Sequence, residues 1–164
     1  MLTDQSFPAK ILLLGEYTIL NGSKALAIPF NELSGKWSFS KLDTEAAIIS
    51  HTSLLNFLKH SSENYLDLDK LKSDIEKGLW FDSSIPHGFG LGSSGALIAA
   101  LYQTYGLKKK TVLEDKQALA RLEDYFHGSS SGIDPLVSLI QKPLLIHNFD
   151  NVEIYENSIN LSGF

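Results

Sequence analysis

The chain has 164 residues, enough for one domain or one and a fraction, and its 43% hydrophobic and 20% charged content suits a folded protein with a real core. A formal charge of −5 speaks against a general nucleic-acid binder, and the absence of cysteine excludes disulfides and thiolate metal sites. The start, Met-Leu-Thr-Asp-Gln-Ser, lacks the basic and apolar regions of a secretory signal. No apolar run nears the ~20 residues that cross a bilayer, so a cytoplasmic location with no membrane partner is expected.

In chain order, the first 50 residues read as β-rich. Ala9 to Leu14 is a short apolar strand and Tyr17 to Leu20 a second; Asn21-Gly22 supplies hairpin chemistry before a third, Ala25 to Ile28. Lys36 to Ser40 alternates Trp37 and Phe39 with polar neighbours, and Ala46 to Ser50 reads as another strand. From Ser53 to Gly78 the spacing turns helical, with Leu54, Phe57 and Leu58, then Leu68, Leu71 and Ile75, interrupted by the polar run Ser61 to Asn64. Trp80 to Ile85 reads as a strand. Helices are predicted over Ser94 to Tyr105, Thr111 to Phe126 and Pro135 to Ile140, and closing strands over Leu144 to His147 and Val152 to Tyr155. The basic run Lys108 to Lys110 reads as a solvated loop.

The segment Ile85-Pro-His-Gly-Phe-Gly-Leu-Gly-Ser-Ser-Gly-Ala-Leu97 is the most telling one. Gly88, Gly90, Gly92 and Gly95 fall within eight positions and run straight into a helix. Glycines so dense are kept where the backbone takes positive φ or must approach a ligand closely. A helix that starts there presents free N–H groups and a positive dipole end to an anion such as phosphate. The P-loop pattern with its Gly-Lys-Ser/Thr is absent. Gly90, Gly92 and Gly95 do match G-x-G-x-x-G, but that dinucleotide motif belongs at the first turn of a βαβ unit. Here some 85 residues precede it and the segment beyond reads as another helix. A purely structural turn also stays open.

Three strings in order resemble the motifs of the GHMP kinases, the superfamily of galactokinase, homoserine kinase, mevalonate kinase and phosphomevalonate kinase. Pro86-His-Gly-Phe-Gly-Leu-Gly-Ser-Ser-Gly-Ala is similar to its P-x-x-x-G-L-G-S-S-A/G-A loop. Ala9-Lys-Ile-Leu-Leu-Leu-Gly-Glu-Tyr-Thr-Ile-Leu-Asn-Gly22 resembles the amino-terminal motif of the mevalonate branch. Glu123-Asp-Tyr-Phe-His-Gly-Ser-Ser-Ser-Gly-Ile-Asp134 resembles that branch's E-x-x-x-H-G-x-P-S-G-x-D. The resemblance implies an α+β fold like domain 2 of ribosomal protein S5, with a mixed β-sheet and helices packed on one side. It also implies ATP and Mg²⁺ as cofactors and a small alcohol, mevalonate first, as substrate, and leaves a homodimer open. The phosphate cradle would be Pro86, Gly88, Gly90, Leu91, Gly92, Ser93, Ser94 and Gly95, with Ser94 and Glu123 as metal ligands. Asp134 would contact the acceptor hydroxyl, with Lys10 beside it, while Glu16, Tyr17, His127, Ser131 and Gly132 would shape the substrate region.

Blander readings stand beside these. Serines at a helix start commonly cap it, and Asp134 followed by Pro135 is what a capping residue with Pro at the first helical position looks like. Lys10 alone would read as a solvated strand end, and His127 as a packing or capping residue. Glu123 has support of its own, because it lies on the flank of the stripe Leu119, Leu122, Phe126, where an acid is costly unless paired or metal-bound. Some features depart from the family pattern. Ser130 replaces the common proline, which predicts a less rigid loop, and only 27 residues (96 to 122) link Gly95 to Glu123. The superfamily's third motif, in a carboxy-terminal domain, is not found, so residues 1–164 are expected to be the amino-terminal domain alone. A non-catalytic module that binds nucleotide is the alternative of a different class.

Overall fold

A computed structural model of the chain describes residues 4–15, 22–39, 42–61, 65–107, 112–148 and 151–156. They form β1 (Phe7–Leu14), β2 (Ala25–Phe39), α1 (Glu45–His60), α2 (Leu68–Glu76), β3 (Leu79–Ser83), α3 (Ser93–Tyr105), α4 (Val112–His127), α5 (Ile133–Ile140), β4 (Leu144–Asn148) and β5 (Asn151–Ile154). The fold is α+β, as expected. The strand expected over Tyr17 to Leu20 lies outside the described residues.

β2 is the spine of the sheet. The predicted strand Ala25 to Ile28 and residues 36–39 of the predicted strand Lys36 to Ser40 are two ends of this one 15-residue strand. The strand order is β1-β2-β4-β5, with β3 also on β2. β1 runs along one edge of β2 from Leu26 to Gly35; on the other edge β4 pairs with Ala25–Ala27 and β3 with Gly35–Phe39. Pro29 falls in the gap between β4 and β3, a place where a missing N–H weakens the ladder little. Gly35 is needed for space: a Cβ there would lie 2.3 Å from the Phe81 ring, which packs on the bare backbone.

Every pairing among the described residues is antiparallel, where a mixed sheet was expected. The reason lies in the connections. β2 reaches β3 through two helices, α1 and α2, and three reversals bring the chain back antiparallel, whereas the two reversals around a single crossover helix would return it parallel. This also removes the dinucleotide reading, which needs a parallel βαβ unit around the glycine-rich loop.

The expected strand Ala46 to Ser50 is instead the start of α1. Thr44 caps that helix by accepting from the Ala47 amide at 3.2 Å, Glu45 sits in its first turn, and Ala47, Leu54 and Phe57 share its buried face. A short apolar run without polar punctuation is ambiguous between strand and buried helix, and the cap decides it. Phe7, Ala9, Ala25, Ala27 and Trp37 are among the buried residues of the long strands, and the sheet face they form is covered by helices, α3 and α5 against β1 and β2 and α1 against β3. Alanine at three of those positions lets the helices approach closely. The polar tips of the buried aromatics are satisfied: Trp37 Nε1 donates to Thr104 at 2.9 Å and Tyr102 donates to Asp115 at 2.7 Å.

Candidate functional site

The glycine-rich loop joins β3 to α3, and three of its glycines have left-handed backbone: φ is 82° at Gly88, 70° at Gly90 and 73° at Gly92. A Cβ at Gly88 or Gly90 would touch nothing, so conformation alone demands glycine at those two places. Gly92 is itself the N-cap of α3 and no side chain caps the helix. Ser93 and Ser94 are therefore the first two helical residues, not caps, and the amides of this first turn have no capping side chain. The capping reading of the two serines falls.

Asp134 does not cap a helix either. Gly132, at φ 72°, takes the N-cap of α5, which puts Asp134 in the second helical position and Pro135 in the third. The Asp134 carboxylate is thereby free to reach Lys10, whose Nζ lies 2.8 Å from Oδ1. Missing side chains bring the starts of α3 and α5 together. A Cβ on Gly95 would stand 2.8 Å from the Asp134 backbone, and one on Gly92 would stand 3.3 Å from Asp134 Oδ2. Lys10 is joined to the loop as well, since its amide donates to Leu91 O at 2.9 Å. Lys10 is thus no solvated strand end; its side chain is 13% exposed.

Glu123 projects from α4 and is 3% exposed. Ser94 donates to its Oε1 at 3.3 Å, Ser130 donates to its Oε2, and His127 Nε2 lies 2.8 Å from Ser94 Oγ. Burial pushes the Glu123 carboxyl above the usual carboxylate range. The Ser130 hydrogen bond opposes this, Asp134 repels the charge further, and His127 and Ser94 offset part of it. A buried carboxylate short of positive charge, with a hydroxyl beside it, fits a hard cation with oxygen ligands. Among the described residues no three His, Cys, Asp or Glu side chains converge. The fit is therefore to an ion that takes one or two protein ligands and keeps waters or phosphate oxygens, as magnesium does.

A cavity of about 340 Å³ opens in front of these groups, walled by Pro86 to Ser94 except Phe89, with Phe126, His127 and Asp134. On the far side of the His87–Ser93 contact (3.3 Å) lies an apolar cleft of about 350 Å³ between α1, β3 and α3, floored by Trp80, Phe81, Ile85 and Leu97. The glycine-rich backbone, Ser94 and Asp134 line this cavity, with Glu123 behind Ser94 and Lys10 behind Asp134, and together they can bind an anion, hold a cation and orient a hydroxyl.

Not every expected residue joins them. Ser131 and Gly132 shape the start of α5: Ser131 accepts from the Ile133 amide at 3.3 Å, and Gly132 packs against Lys116 O, where a Cβ would sit at 2.5 Å. Glu16 and Tyr17 lie outside the described residues. Ser130 was missed. Its replacement of proline does not simply loosen the loop, because Ser130 holds Glu123, its amide donates to Asp124 at 2.7 Å, and its hydroxyl accepts from Gly132 N at 3.0 Å. The signal was present in the run of three serines, a composition that favours local side-chain to backbone bonds.

Comparison with known proteins places the chain in a family. The mevalonate kinase of Pyrococcus abyssi is 30% identical over 166 residues, which cover 82% of this chain and 48% of that protein. The mevalonate kinase of Pyrococcus horikoshii is 28% identical over 168 residues with the same coverage. The chain spans about half the length of the curated relatives it matches. Its fold resembles the crystal structure of Methanococcus jannaschii mevalonate kinase with a TM-score of 0.60 at 16% identity, over 96% of this chain and 56% of that one. The mevalonate kinase of Staphylococcus aureus MRSA252 gives 0.54 at 22%, over 92% and 54%. The family model described as the GHMP kinases N terminal domain matches residues 54–142, more than half of the sequence, and the chain belongs to that family.

Proposed function

We propose that this chain is the nucleotide-binding, amino-terminal domain of a small-molecule kinase that transfers the γ-phosphoryl group of ATP to an alcohol. Mevalonate is the first acceptor to test and phosphomevalonate the second. The observation that carries the reading is the Lys10–Asp134 pair, 2.8 Å apart and packed against Gly92 at the foot of the glycine-rich loop. An anion cradle alone would serve a binding module; a buried-side lysine–carboxylate pair beside it serves a reacting hydroxyl.

Phosphoryl transfer is mostly positioning and charge stabilisation. Gly88 to Gly95 and the start of α3 cradle the phosphates through backbone amides. The apolar cleft beside His87 takes the base. Ser94 and Glu123 would hold the magnesium ion, which when bound would neutralise charge on the phosphates. Asp134 accepts a hydrogen bond from the acceptor hydroxyl and aims it at the phosphorus, while Lys10, 2.8 Å away, holds the Asp134 carboxylate in place and favours the developing alkoxide. Glu16 and Tyr17 belong to the acceptor side of this proposal, whereas His127, 2.8 Å from Ser94 Oγ, stands beside the cation site.

The test is titration of the purified chain with Mg-ADP, Mg-ATP and NAD by calorimetry, then transfer of labelled phosphate to mevalonate, phosphomevalonate, homoserine and galactose. The reading expects Mg-nucleotide binding that weakens in Glu123→Gln. Binding of NAD in preference to Mg-ATP would overturn it. Mg-ATP binding with no transfer to any acceptor would favour the binding-module reading.

A further inference from the structure

Ser94 carries one hydroxyl hydrogen and has two neighbours for it, Glu123 Oε1 at 3.3 Å and His127 Nε2 at 2.8 Å. The other Glu123 oxygen is already taken. Ser130 Oγ accepts from the Gly132 amide at 3.0 Å, which leaves its own hydrogen for Oε2. The carboxylate is thus fixed from behind, and only Oε1 faces Ser94. His127 reaches the same spot because it follows Glu123 by four residues and shares its face of α4.

We propose that His127 is the positioning residue of the cation site: it takes the hydroxyl hydrogen of Ser94 and so turns a lone pair of that oxygen toward the ion shared with Glu123. The inference rests on the reading of Ser94 and Glu123 as the ion's ligands. A cation between Ser94 Oγ and Glu123 Oε1 repels a hydrogen pointed into that space, so the hydrogen must swing out. His127 Nε2 is the nearer acceptor, and a neutral imidazole offers one acceptor nitrogen while its hydrogen resides on the other. Groups behind a ligand orient it in just this way, and removing one typically weakens metal binding about 10- to 100-fold. His127 is exposed on the last turn of α4, so its replacement leaves the core intact.

The experiment measures Mn²⁺ binding to the chain with ADP present, by electron paramagnetic resonance, with Mn²⁺ standing in for magnesium. His127→Ala and Ser94→Ala should each weaken binding about tenfold, and the double variant should be no weaker than Ser94→Ala alone, because His127 acts through that hydroxyl. His127→Gln, whose amide oxygen accepts the same hydrogen, should recover most of the loss, and His127→Phe none. Losses that multiply in the double variant, or an unchanged His127→Ala, would overturn the proposal. A nitrogen coupling in the pulsed spectrum would also overturn it, by making His127 a ligand. Wild-type affinity in both Ser94→Ala and Glu123→Gln would remove the cation site itself, and this inference with it.

Discussion

Replacing Asp134 by Asn is the sharpest perturbation of the proposed site, because shape is kept and one charge is lost. The carboxylate is 30% exposed and its partner Lys10 is 13% exposed, so the pair lies between the surface and the interior. Exposed pairs contribute about 0.2–1 kcal/mol and breaking buried ones costs about 3–5 kcal/mol. About 2 kcal/mol is therefore the loss expected for stranding Lys10. The Asn oxygen still accepts a hydrogen bond from Nζ, which restores about 1 kcal/mol. The net loss of about 1 kcal/mol corresponds to about 3 °C in melting temperature for a chain of this size. Turnover should fall far more, at least ~100-fold, because no carboxylate remains to take the hydroxyl hydrogen bond. Nucleotide affinity should hold or rise slightly. A Cβ on Gly92 would be 3.3 Å from Asp134 Oδ2, so the lost charge was one that repelled the phosphates. Scanning calorimetry, titration with Mg-ADP and an ATP-consumption assay with mevalonate read the three quantities separately. Undiminished turnover, or a large loss of nucleotide binding, would refute the reasoning.

Four further variants probe the neighbours. The raised Glu123 carboxyl destabilises the cation-free fold at pH values above its folded pKa, and that penalty is gone below the ordinary glutamate value of about 4.3. Glu123→Gln should therefore raise the urea midpoint at pH 7 without cation, lose that advantage in acid, and fall below wild type when saturating Mg-ADP is added. Gly132→Ala places a Cβ 2.5 Å from Lys116 O at φ 72°, and overpacking together with backbone strain should cost about 3 kcal/mol by denaturant melt. Ser130→Ala removes hydrogen bonds to Glu123 and Gly132 and should cost about 1–2 kcal/mol. Ser130→Pro should melt lower still, although proline is the family's common residue, because the hydrogen bond that the Ser130 amide donates to Asp124 goes too.

The helices were legible because their stripes are long: Leu97, Leu101 and Tyr105, or Leu119, Leu122 and Phe126, repeat at helical spacing over several turns. Ala46 to Ser50 was misread for the opposite reason, being short and unbroken, with its deciding signal in Thr44 just outside the run. The sheet's direction depended on how many helices separate β2 from β3, a property of the whole chain that no strand's own residues carry. Asp134 shows the same limit at the site. Its pairing with Pro135 looked like a cap, yet Gly132 two residues earlier could take left-handed backbone and did. The Lys10–Asp134 contact was legible through family resemblance alone. What permits it physically is the empty space at Gly92 and Gly95, which a residue-by-residue reading registers only as loop.

Lys10 faces Pro29 in the sheet and sends its amide outward to Leu91 of the glycine-rich loop. Its main chain is thus fastened to the phosphate donor's cradle while its ammonium is fastened to the acceptor's aspartate. In the proposed reaction one residue gauges the gap between the two reactants. A loop that lifts away from β1 also slackens the grip on the nucleophile, so donor release and acceptor disarming become one event, and the exchange rate of a single amide proton would keep time with both.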